Sequence, residues 1–67
     1  MAKNTLLSTR EVDVLRRCSR GLSNQEIADR LAITVGTTKG HLHCIFQKLK
    51  VRNRMAAVIK ARKLGFL

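Results

Sequence analysis

The sequence predicts a compact all-α domain of four helices that contains a helix-turn-helix. Three observations carry that prediction. Ser8, Ser23, Thr34 and Asn53 each stand where an N-cap residue precedes a helical pattern. Apolar residues recur at three- and four-residue spacing after each of them. Proline is absent, and no run alternates apolar and polar residues as a half-buried strand does.

The first helix follows Ser8-Thr9-Arg10-Glu11, a sequence of capping-box form in which Ser8 accepts from a backbone N–H and Glu11 reaches back. Val12, Leu15 and Cys18 give it an apolar stripe that Val14 widens, and Gly21 offers a left-handed stop. Ser23-Asn24-Gln25-Glu26 is a second capping box, opening a short helix with Ile27, Ala28 and Leu31 on one face. Only Ala32 and Ile33 separate Leu31 from the next cap, Thr34. Two helices joined by so tight a turn must cross steeply, which is helix-turn-helix geometry.

The third helix is expected over Val35 to Lys50. Its core line reads Thr38, His41 or Leu42, Ile45 and Leu49, and its opposite face carries Gly36, Lys39, Gly40, His43, Gln47 and Lys50. Asn53 caps a fourth helix with Ala57, Val58, Ala61 and Leu64 along one side and Gly65 closing it.

Charge gives the first pointer to a partner. All four acidic residues, Glu11, Asp13, Glu26 and Asp29, fall in the first 29 positions, where five basic residues nearly balance them. The other nine Lys and Arg lie beyond, unopposed, and bring the formal net charge to +10. Such a block repels itself unless a polyanion sits against it. Charge points to nucleic acid, with an anionic membrane surface as the competitor; the helix caps and spacing make the expected partner double-stranded DNA, with RNA as a further alternative. The longest apolar run, Met55 to Ile59, is far short of the roughly 20 residues a membrane span needs. The segment after Lys3 lacks the apolar stretch of a signal peptide, so a cytoplasmic location is expected.

A chain of 67 residues buries only about 60% of its unfolded surface, which leaves little room for an enclosed active site. No acid lies near His41 or His43 to build a hydrolytic or nucleophilic set, so no catalytic residue is assigned and no enzyme is expected. On a helix His41 and Cys44 share a face but His43 does not, and no CxxC pair completes a ligand set. No metal or other cofactor is therefore expected. Cys18 and Cys44 both occupy positions read as apolar, which predicts buried free thiols.

The third helix has what major-groove reading requires: an apolar face anchoring it and a small or polar face for base edges. Lys39 can donate to guanine or phosphate, and Gly40 permits close approach at a helical position where glycine costs about 1 kcal/mol. His43 shares their face, while His41 is expected at the helix–helix seam. Asn24 and Thr37 can reach phosphates from helix N-termini, whose N–H groups favour anions. Lys48, Lys50, Arg52 and Arg54 add attraction without choosing a sequence.

The order of these motifs resembles the LuxR-type helix-turn-helix family. Leu7-Ser8-Thr9-Arg10-Glu11, Val14-Leu15 and Gly21-Leu22-Ser23-Asn24-Gln25-Glu26-Ile27-Ala28 look like its first two helices. Thr34, Thr37, Lys39, His41, Ile45, Lys48-Leu49, Val51, Arg52-Asn53-Arg54, Ala57-Val58 and Leu64-Gly65 continue in register. The resemblance covers about residues 6–67 and implies a single DNA-binding output domain of a bacterial transcriptional regulator, with residues 1–5 flexible. Carried over by position, Lys39, Gly40 and His43 fall where such domains contact bases. Asn24, Thr37, His41, Lys48 and Arg52 are assigned to the DNA backbone, and Val58 and Ala61 to a homodimer paired through the fourth helix. Thr38 departs from the usual valine and is expected to bond a carbonyl one turn back. Arg17 departs from a usually apolar position, so its stem must snorkel or meet another surface. Because members carry this domain behind a sensor, an excised C-terminal domain is expected, missing its N-terminal partner; a stand-alone member is the other possibility.

Overall fold

Each helix begins where a side chain satisfies its first N–H groups. The computed structural model describes residues 6–67, and the expected flexibility of residues 1–5 lies outside them. Four helices and no strand occur among the described residues: α1 (Thr9–Ser19), α2 (Asn24–Leu31), α3 (Val35–Leu49) and α4 (Arg54–Lys63). Ser8 Oγ accepts from Glu11 N at 3.1 Å while Ser8 N donates to Glu11 Oε1 at 2.8 Å. Ser23 and Glu26 repeat that reciprocal pair at α2, with 3.2 and 2.8 Å. Thr34 caps α3 and Asn53 caps α4, each accepting from the N–H three residues on.

The C-termini share one device as well. In each case an N–H reaches back to the carbonyl five residues earlier: Leu22 to Arg17, Ile33 to Ala28, Val51 to Phe46 and Phe66 to Ala61. Gly21 and Gly65 supply the left-handed residue at two of these ends. Ala32 and Lys50 adopt it without being glycine, at φ +56° and +57°. Ala32 thereby makes the abrupt turn between α2 and α3, and Lys50 stops α3 one residue before the expected end.

α3 lies at the centre and packs on the other three helices; α1 also packs on α2 and α4, and α2 and α4 make no direct packing contact among the described residues. The core is aliphatic, built on Val14, Leu15, Ile27, Ile45, Leu49 and Ala57. Leu42, rather than His41, fills the alternative core position of α3, leaving His41 half-buried. Thr38 is fully buried, and its hydroxyl donates to Thr34 O at 3.1 Å, the expected bond one turn back. Arg17 is half-buried and curls over α1 to donate to Asp13 O.

Three expectations need correction. Cys18 is buried, but Cys44 is exposed, because it lies about 100° around α3 from Ile45 and beyond the line Thr38, Leu42, Ile45, Leu49. Leu64 follows the end of α4 and stays 39% exposed. Val58 and Ala61, assigned to a dimer surface, are instead buried against the domain's own core: Ala61 lies one turn from Ala57 on the same face, and Val58 packs beside Cys18 of α1.

Candidate nucleic-acid interface

The outward arc of α3 is bare and basic. Gly36, Thr37, Lys39, Gly40, His43, Cys44, Gln47 and Lys48 are all exposed, while the opposite arc holds the helix to the domain. At 15 residues, α3 is about 22 Å long, enough to lie along a groove with its first turns at base edges. A Cβ built at Gly40 meets nothing within 4 Å, so no neighbour in the domain demands glycine there. The first turn of α3 contains no acid, which leaves its N–H dipoles available to an anion.

Thr37 is oriented by its neighbour. Thr34 Oγ1 accepts from Thr37 N at 3.0 Å and donates its own proton to Thr37 Oγ1 at 2.9 Å. These two contacts hold the exposed Thr37 hydroxyl at the first turn of α3.

Lys39 and His43 rim an open hollow of about 480 Å³, across which Asn24, Arg52 and Arg54 face them. The fold thus gathers two of the expected base-contacting residues with two of the expected backbone-contacting residues. Arg54, expected only to add attraction, has partners within the domain. Its guanidinium donates to Leu22 O at 2.9 Å and to Asn24 Oδ1, tying the start of α4 to the start of α2. Nothing in sequence spacing marks that reach, since 30 residues separate the partners.

His41 and Lys48 lie apart from this hollow. The Lys48 ammonium sits 2.8 Å from Oε1 of the buried Glu11 and joins α3 to the start of α1. Burial pushes the Glu11 carboxyl up, but the Lys48 and Ser8 hydrogen bonds, with the Lys48 charge, outweigh it and hold Glu11 below its ordinary 4.5. Lys48 therefore has a structural partner before any DNA arrives. At Cys18, burial raises the thiol pKa and the nearby Arg54 charge opposes that rise.

On α4, Met55 and Ile59 are the exposed apolar side chains, 72% and 49% accessible. With Cys18, Val58 and Arg62 they line a groove of about 440 Å³ between α1 and α4. No helix of the described residues is long and apolar enough to cross a membrane, and they hold no cluster of three or more His, Cys, Asp or Glu that could bind a metal. The membrane-surface and RNA alternatives gain no support. Both phenylalanines pack half-buried against the core, Phe46 also lining the hollow beside Lys39 and His43, and neither is a fully exposed ring for lipid or base stacking.

Comparison with known proteins gives one consistent result. The family model GerE, described as bacterial regulatory proteins of the luxR family, matches residues 5–61. The chain is 46% identical over 61 residues to the HTH-type transcriptional regulator AlkS of Alcanivorax borkumensis, covering 91% of this chain and 7% of that protein. It is 46% identical over 55 residues to the nitrate/nitrite response regulator protein NarP of Escherichia coli, covering 82% of this chain and 26% of the other. The chain therefore spans about a quarter or less of these relatives. The solved structure of the transcription factor GerE superposes with a TM-score of 0.91 at 31% identity, over 96% of both chains.

Proposed function

Because the chain belongs to the luxR family of bacterial regulatory proteins and is a DNA-binding domain of the transcription-regulator type, we propose that it reads duplex sequence with the outer face of α3 in the major groove. Residues 6–67 act as one domain in this reading. Lys39 and His43 donate to base edges, and Gly40 lets the helix backbone approach closely. Thr37, Asn24 and Arg52 hold the flanking phosphates, with His41 at the edge of that contact; Lys48 contributes charge from its place beside Glu11. The observation that carries the proposal is the arrangement around α3: an exposed Gly36/Gly40 face, flanked by Lys39 and His43, beside a hollow that brings Asn24 and Arg52 to the same side.

Two copies pair through α4, using Met55 and Ile59 in place of the buried Val58 and Ala61. Dimeric readers of this geometry take half-sites about 10 bp apart or at multiples of that turn. In the whole protein the domain is the output of an N-terminal sensor and works in the cytoplasm, without enzymatic activity or a cofactor of its own. NarP, a response regulator by name, is matched over only 26% of its length, which leaves room for such a sensor there.

Competition titration tests the DNA reading. A labelled duplex carrying the preferred site should resist displacement by bulk DNA at least ~10³-fold better than a scrambled duplex does. Equal displacement of the two would refute sequence-specific binding.

A further inference from the structure

Arg54 is oddly placed for a helix start. It is the first residue of α4, where a cation opposes the helix dipole, and the first turn contains no acid to offset it. Its partners lie on another element: Leu22 O just before α2, and Asn24 Oδ1 at the first residue of α2. α2 and α4 do not pack on each other, and this side chain links their N-termini at the hollow.

The bridge also decides how Asn24 faces. A guanidinium only donates, so the Asn24 atom it meets must be the carbonyl oxygen. In a planar amide that leaves the Nδ2 proton trans to the carbonyl pointing away from Arg54, with the other projecting to the side. Asn24 is half-buried and lines the hollow with Lys39, His43 and Arg52, so those protons are its remaining polar offering there.

We propose that Arg54 is a positioning residue for DNA binding: by holding Leu22 O and Asn24 Oδ1 it fixes the Asn24 amide as a phosphate donor and does not itself grip the DNA. The inference rests on the DNA-binding reading above. It assigns the charged arginine an indirect role and the neutral asparagine the direct one. A lysine cannot replace the arginine, because a single ammonium lacks the planar fork that spans both acceptors.

The test is a double-mutant cycle on the full chain with a duplex bearing the selected site. Wild type, Asn24→Ala, Arg54→Ala, Arg54→Lys and the double Ala variant are titrated at several salt concentrations, with folding followed by circular dichroism. Each single variant should lose about 10–150-fold in affinity, the scale of one hydrogen bond to a charged group. The double variant should be no weaker than the weaker single one. The slope of log affinity against log salt should stay at the wild-type value for Arg54→Ala, because no phosphate-bound charge has been removed. A slope shallower by about 0.9, or losses that multiply in the double variant, would show Arg54 gripping a phosphate itself and overturn the proposal. Wild-type affinity in Arg54→Lys would overturn it too. Should Arg54→Ala unfold, Asn24→Asp decides instead: it keeps the acceptor for Arg54 but lacks the amide protons, so it must fold as wild type and bind worse. Binding of Asn24→Asp at wild-type strength contradicts the proposal, and a wild-type chain that binds no duplex removes the DNA reading along with it.

Discussion

Gly40 and Glu11 are the two residues whose roles differ most from what their neighbours require. Gly40 sits mid-helix with open space where a Cβ would go. Gly40→Ala should therefore raise unfolding free energy by about 1 kcal/mol in urea titration. It should weaken specific DNA binding in parallel, since a methyl then stands between α3 and the groove floor. A stabilised variant that binds as well as wild type would show the glycine has no part in close approach. Glu11 is buried, and its depressed carboxyl pKa stabilises the fold above the unfolded value near 4.5. That contribution is lost as pH falls through the lower folded value, so stability should drop as the pH is taken below about 4.5. Lys48→Met should cost about 1–2 kcal/mol at neutral pH, limited by the 40% exposure of the lysine, and should flatten that acid limb. An unchanged acid limb in Lys48→Met would mean the pair does not govern it. At this scale the sequence was legible for local chemistry, such as Ser8 with Glu11 or Thr38 with Thr34, because those partners lie within one turn. Glu11 with Lys48 and Asn24 with Arg54 were not, because their partners meet only after the helices cross.

The helices were legible at their starts and less so at their ends. A side-chain cap needs Ser, Thr, Asp or Asn at one place, so Ser8, Ser23, Thr34 and Asn53 announced all four N-termini. A left-handed ending needs only a φ near +60°, which glycine signals but alanine and lysine hide. Ala32 and Lys50 hide it here, and α3 consequently stops at Leu49. Each carries the strain of a non-glycine residue in that region. Ala32→Gly and Lys50→Gly should each stabilise the domain by about 1 kcal/mol, read from urea midpoints at constant slope. Destabilisation by either would mean that its side chain supplies more than the strain costs. Helical phase explains the Cys44 correction in the same way. One position, 100° of rotation, separates a core residue from an exposed one, and a mixed stretch such as Leu42-His43-Cys44-Ile45 leaves the phase to be set by packing.

Across the whole molecule, charge and apolar surface divide the labour. The acid-free portion after Asp29 supplies salt-sensitive attraction, but its lysines and arginines are not equivalent once folded. Lys39 and Arg52 face the hollow beside α3, Lys48 serves Glu11, and Arg54 serves Asn24. The apolar side of α4 is likewise split between Ala57, Val58 and Ala61 inside and Met55 and Ile59 outside. Met55→Lys with Ile59→Lys should leave stability within about 0.5 kcal/mol per site and shift sedimentation on a two-half-site duplex toward one chain per DNA. Val58→Asp should instead unfold the chain, by more than about 3 kcal/mol, because it buries a charge. A stable Val58→Asp variant that fails only to pair would restore Val58 to the interface. The central claim, that α3 reads sequence through a small set around Lys39, is tested most directly by selecting bound sites from a random duplex library with wild type and with Lys39→Ala. The expected result is one enriched motif for wild type and the same motif for the variant, relaxed at a single base position in each half-site, with about 1–3 kcal/mol of discrimination lost there. No enriched motif for wild type, or a motif unchanged in the variant, would contradict it.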